Sequence, residues 1–101
     1  MLTKFQQKVY DAVRKIPRGK VASYQQVAIF LGKKYATRAV GQALNKNPFA
    51  PKTPCHRVVY KNGQLGGYKF GCRNKRQMLL KEGIKFNKNN RVLSKYFLKI
   101  K

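Results

Sequence analysis

The chain has 101 residues, of which 24 are Lys or Arg and two are acids, for a formal net charge of +22. That length allows one small core, and its apolar stretches are too short and too interrupted by lysine to span a membrane. Cys55 and Cys72 are too few for a disulfide scaffold and form no CxxC or Cys/His cluster, so a free thiol is expected and a metal site is not.

Basic groups with so few carboxylates repel one another unless an anion neutralises them, and nucleic acid is the natural polyanion. The lysines run from Lys4 to Lys101 instead of gathering in one tail, which predicts a charged folded body. No signal-peptide pattern opens the chain, so an intracellular protein is expected, cytoplasmic and nucleoid-associated or nuclear.

Phe5, Val9, Ala12, Val13 and Ile16 recur at helical spacing and predict a first helix, stopped by Pro17-Arg18-Gly19. Ser23 can cap a second from about Tyr24 to Leu31, with Gly32 beyond its end. Thr37 can cap a third to about Lys46, with Val40, Ala43 and Leu44 on one face and Arg38, Gly41, Gln42 and Asn45 on the other. A glycine inside a helix costs about 1 kcal/mol relative to alanine. Gly41 therefore points either to helix packing or to a surface that something approaches closely. Two short helices joined by a tight turn outline a helix-turn-helix.

Pro48, Pro51 and Pro54 make Asn47 to Pro54 a loop. Arg57 to Tyr60 reads as a strand, and Asn62-Gly63 as the turn of a short β-hairpin. A glycine-rich loop through Gly66, Gly67 and Gly71 precedes a C-terminal helix from about Asn74 to Glu82, ended by Gly83; an apolar-patterned tail follows. The expectation is one mainly α domain over residues 1–101, helix-turn-helix and winged-helix-like, monomeric, with a short β-hairpin and a C-terminal helix.

Cys55 stands beside His56, the only histidine. Thiolate is the reactive form of cysteine, and an imidazole is a base suited to neutral pH. Neighbours on an extended strand point opposite ways, so the pair can cooperate only if the chain turns after Pro54. Glu82, one of the two acids, falls on the apolar side of the last helix near its C-terminus, where burial and the helix dipole both disfavour it. Orienting the imidazole is a good reason to keep a carboxylate there.

With these residues in place, the chain resembles the C-terminal, active-site domain of the O6-alkylguanine-DNA alkyltransferases, the methylated-DNA–protein-cysteine methyltransferases. Pro54-Cys55-His56-Arg57-Val58 is similar to their PCHRV signature. SYQQVA from Ser23, TRAVGQAL from Thr37, Asn47-Pro48, LGGY ending at Tyr68 and LLKEG containing Glu82 agree with it.

The resemblance implies a direct-reversal repair enzyme acting once, without metal or organic cofactor, on double-stranded DNA containing O6-alkylguanine. A base stacked in duplex cannot present its O6 substituent to a thiolate and must be flipped out. By resemblance the third helix enters the minor groove, with Thr37, Ala39, Gly41, Gln42 and Asn45 on the DNA. Arg38 matches the arginine that fills the vacated stack, and Tyr24 the tyrosine that promotes rotation and helps protonate the departing guanine. Cys55 is then the nucleophile, His56 its base, Glu82 the holder of His56, and Asn47 the residue that fixes the active-site turn. Val58, Gly66, Gly67, Tyr68 and Lys69 surround the guanine, although Lys69 departs from the small hydroxyl residue many relatives carry. Relatives usually have an N-terminal domain, which is not expected here. The alternative is a non-enzymatic alkyltransferase-like protein that binds alkylated DNA and recruits other repair factors. Those proteins typically replace the cysteine, so Cys55 favours the enzyme.

Overall fold

Thr3 and Ser23 open the first two helices in the same way, each through a reciprocal capping box. The computed structural model describes residues 2–49, 52–66 and 71–98, apart from the side chain of Cys72. Helix α1 (Lys4–Arg14) starts where the Thr3 hydroxyl accepts from Gln6 N at 3.0 Å and Gln6 Oε1 accepts from Thr3 N at 2.9 Å. Ser23 and Gln26 do the same for α2 (Tyr24–Phe30) at 2.9 and 2.8 Å. Gln26 also donates through Nε2 to the Leu98 carbonyl, tying the C-terminal segment to this helix.

Helix α3 (Thr37–Asn45) departs from expectation at its start. Thr37 is the first helical residue and not the cap. The cap is Ala36, which makes no side-chain cap bond. Ala36 N closes a turn onto Lys33 O, and the Ala36 carbonyl already accepts from Val40 N at 2.9 Å, so the helix begins one residue early.

Strands β1 (Ala22–Ser23) and β2 (Val58–Val59) pair in parallel, Ala22 opposite Val58 and Ser23 opposite Val59. This corrects the expected hairpin. The turn at Asn62-Gly63 does form, closed by Tyr60 N to Gln64 O and Gly63 N to Tyr60 O, both 2.8 Å, but among the described residues β2 pairs with β1 in parallel. Val58 and Val59 are both fully buried on opposite faces, so the strand needs cover on both sides, which a two-stranded surface hairpin does not supply.

The strand pair separates two apolar clusters. One joins Val9, Val13, Ala22, Val40, Leu44, Cys55 and Val58 between α1, α2 and α3. The other joins Val21, Val59, Leu65, Leu79, Ile84 and Val92, with Phe86, Tyr96 and Phe97 packed against it, so the apolar-patterned tail covers the second cluster.

Helix α4 (Cys72–Lys81) begins two residues earlier than expected. It ends at Glu82 with Gly83 at φ +89°, Gly83 N bonding Leu80 O and Ile84 N bonding Leu79 O. This is a Schellman closure, with buried Leu79 and Ile84 in its apolar contact. It fixes Glu82 as the C-cap of α4, aimed back at the segment after Pro54.

Candidate active site and nucleic-acid interface

The chain does turn after Pro54. Pro54 adopts φ −81°, ψ 66°, and Cys55 N bonds Thr53 O at 2.8 Å, an inverse γ-turn. A single 3-10 turn over Cys55–Arg57 follows, which abolishes strand alternation and buries both Cys55 and His56. Asn47, completely buried, holds the approach: its Nδ2 donates to Thr53 O at 3.0 Å, and its Oδ1 accepts from Phe49 N at 2.9 Å.

His56 Nε2 lies 2.9 Å from Glu82 Oε2. An ionised carboxylate can only accept, so the hydrogen-bond network assigns the ring proton to Nε2 and leaves Nδ1 as the basic nitrogen. Burial pushes the imidazole below its ordinary value of 6.5, against the upward pull of the Glu82 bond and charge. His56 is therefore neutral at pH 7. Burial alone would raise the Glu82 carboxyl, but hydrogen bonds from Arg57 and His56 outweigh it and hold the group below 4.5.

Arg57 was missed as a site residue. Its Nε donates to Glu82 Oε1 at 2.9 Å and its Nη2 to Glu82 Oε2 at 2.8 Å, while Nη1 reaches Ile16 O at 2.8 Å. It stands inside the PCHRV stretch, but among 24 basic residues its charge carried no signal. Arg14 was missed as well: its Nε donates to the Thr53 hydroxyl at 2.9 Å, linking α1 to the turn that presents the thiol.

A cleft of about 500 Å³ runs along α3. Tyr24, Thr37, Arg38, Gly41, Gln42 and Asn45 line it, with Tyr60 completing the wall. Six of the residues expected on DNA thus share one surface, while Ala39 is half-buried on the same helix and does not line the cleft. A Cβ built on Gly41 would sit 4.0 Å from the Tyr24 ring, ordinary van der Waals contact. Internal packing therefore does not require glycine there, and its effect is to keep the cleft floor low.

Burial first, then the neighbouring Tyr60 and Cys55, push the Tyr24 phenol up to about 12. Its hydroxyl lies 3.4 Å from Nζ of the fully buried Lys75. Gly66, at φ +74°, packs beneath it, where a Cβ would meet the Tyr24 hydroxyl at 2.9 Å. Val58 is buried in β2 beside the turn. Gly67, Tyr68 and Lys69 lie outside the described residues. Among the described residues, no group of His, Cys, Asp and Glu could hold a metal ion, and no helix is long and apolar enough to cross a membrane.

Residues 4–84 match the family described as 6-O-methylguanine DNA methyltransferase, DNA binding domain. The chain belongs to this family. Across 81 residues it is 49% identical to a methylated-DNA–protein-cysteine methyltransferase of Saccharolobus islandicus, covering 80% of this chain and 52% of that protein. The Mycobacterium tuberculosis OGT solved in complex with DNA superposes with a TM-score of 0.80 at 43% identity, over 82% of this chain and 51% of that one. S. pombe Atl1, solved with damaged DNA containing O6-carboxymethylguanine, superposes with a TM-score of 0.82 at 30% identity, over 99% and 100% of the two chains. The chain spans about a quarter to a half of the curated relatives it matches. These solved structures carry the same domain, which accords with the mainly helical, helix-turn-helix architecture described above.

Proposed function

We propose that this protein repairs DNA by direct reversal, taking the alkyl group from O6 of guanine onto Cys55 in a single-turnover reaction. The observation that carries the reading is the buried Cys55–His56 turn, whose imidazole is bonded at 2.9 Å to Glu82 and whose thiol acts on Tyr24, a residue of the cleft along α3.

In this reading α3 enters the minor groove of alkylated duplex, the lysine- and arginine-rich surface neutralises phosphates, and the damaged nucleotide is rotated out. Arg38 occupies the vacated stack. His56 Nδ1 accepts the Cys55 proton, through a water where needed, and the imidazolium is stabilised by Glu82, which Arg57 keeps ionised. The thiolate attacks the alkyl carbon. One S–C bond forms, the C–O6 bond breaks, and guanine leaves with the electron pair.

The leaving guanine needs a proton. Tyr24, which retains its own to high pH, supplies it and is reprotonated from the imidazolium, so the thiol proton ends on guanine. The product is a stable thioether, and no resident cofactor is required. Val58 and Gly66 border the guanine. DNA binding and alkyl transfer share one domain, in which the strand pair contributes Ala22 and Val58 to one apolar cluster and Val59 to the other, and this domain acts as a monomer.

The test is a duplex carrying radiolabelled O6-methylguanine, incubated with the protein and with Cys55→Ala. Label in the parent and none in the variant is expected. Label reaching both equally would overturn the reading. Tight lesion binding with no label in either would instead identify a non-enzymatic binder.

A further inference from the structure

Tyr60 is a large aromatic side chain that the folded protein leaves half in water, 50% exposed, on the wall of the α3 cleft. It follows β2 directly, and alternation along the strand puts it on the Val58 side, toward the cleft. Its ring centroid is 5.2 Å from that of Tyr24 at an interplanar angle of 54°, and a Cβ on Gly66 would come within 3.1 Å of its Cε2. The backbone beneath it is held at both groups, Tyr60 N on Gln64 O and Gly63 N on Tyr60 O. One edge is therefore packed and the rest of the ring faces solvent. A second groove of about 520 Å³, lined by Tyr60, Lys61, Asn62 and Gln64, opens on its far side. Tyr60 is the ridge between the two.

Resting on the proposed DNA-binding role of the cleft, we infer that Tyr60 is a stacking platform for a DNA base, carrying the footprint from α3 onto the 60–64 turn. Three observations favour DNA as the occupant. The groove adjoins the cleft across Tyr60, which lines both. Among the described residues, the groove's one charged lining residue is Lys61. Both carboxylates lie elsewhere, Asp11 on α1 and Glu82 at the end of α4. An exposed π-face accepts any base, because every base has a face that can stack on it.

The test uses Cys55→Ala protein, so that chemistry does not intervene, and O6-methylguanine duplexes with 5-iodouracil placed in turn at each flanking position. Affinity is read by fluorescence anisotropy and cross-links by peptide mass mapping. Tyr60→Leu keeps bulk against Gly66 but removes the π-face, and should weaken binding about five- to a hundredfold. Tyr60→Phe should bind within about twofold of the parent, and a cross-link should map to Tyr60. Unchanged affinity in Tyr60→Leu with no cross-link at Tyr60 would overturn this inference alone. Failure of the parent to bind duplex at all would overturn it together with the proposed function.

Discussion

Arg57 and Glu82, 25 residues apart in sequence, are joined by two parallel hydrogen bonds, Nε to Oε1 at 2.9 Å and Nη2 to Oε2 at 2.8 Å. The carboxylate still has capacity for His56 on Oε2. A planar guanidinium can span both oxygens, and a lysine ammonium cannot. Arg57→Met should therefore destabilise the protein by about 3 kcal/mol, the low end for breaking a buried pair because Arg57 retains 16% side-chain exposure. Arg57→Lys should recover part of that loss and little of the alkyl-transfer rate. Urea denaturation and single-turnover labelling check the two halves separately, and equal recovery of both by lysine would contradict the orienting role.

Glu82→Gln removes the charge that stabilises an imidazolium and presents an amide that can donate to His56 as well as accept from it. Labelling should slow by about a hundredfold or more, the scale of a general base lost from its working state. DNA affinity should be unchanged, because Glu82 does not line the α3 cleft. Anisotropy on the same duplex provides the second readout, and parallel loss of binding would mean that the variant is simply misfolded.

Stability should decline on acidification, in two stages. His56 has a folded value below 6.5, so the unfolded chain takes up that proton first and the folded state loses ground as pH drops below 6.5. The Glu82 carboxyl is held below 4.5, so its contribution is complete above that value and is lost as pH falls through its folded one. Urea midpoints measured at about pH 7.5, 5.5 and 4 should fall in that order, and Glu82→Gln should flatten the lower part of the profile. A midpoint that rises between neutral and acid pH would refute the assignment.

Gly41→Ala separates folding from recognition. The added Cβ meets only ordinary contact with Tyr24, and alanine is the better helix former, so stability should rise by up to about 1 kcal/mol. Affinity for duplex should fall, since the methyl stands on the cleft floor. Thermal unfolding and anisotropy on one preparation decide it; unchanged affinity would show that the glycine serves something other than a close approach.

Much of this was legible in the chain because strong local rules agree with the fold. Apolar spacing located α1 and α3, Ser23 announced the cap of α2, and Gly83 marked the end of α4 within a residue. Glu82 stood out because acids are so few. The same composition hid Arg57 and Arg14, whose roles depend on partners, Glu82 and Thr53, that only tertiary packing supplies. The pairing of β2 was misjudged for a related reason. An Asn-Gly turn predicts where the chain bends, but burial of Val58 and Val59 on both faces decided the partner. Thr37 is the first helical residue and not the cap because a preceding turn, Ala36 N on Lys33 O, fixed where the helix could begin.

The account stands on one covalent event at one sulfur. Intact-mass and peptide mass spectrometry after incubation with excess O6-methylguanine duplex tests it most directly. Each molecule should gain the mass of a single methylene, on the peptide containing Cys55, and then react no further, with unmodified guanine left in the DNA. Duplex that keeps its methyl group while Cys55 stays unmodified, or a methyl group found on Cys72 instead, would contradict it.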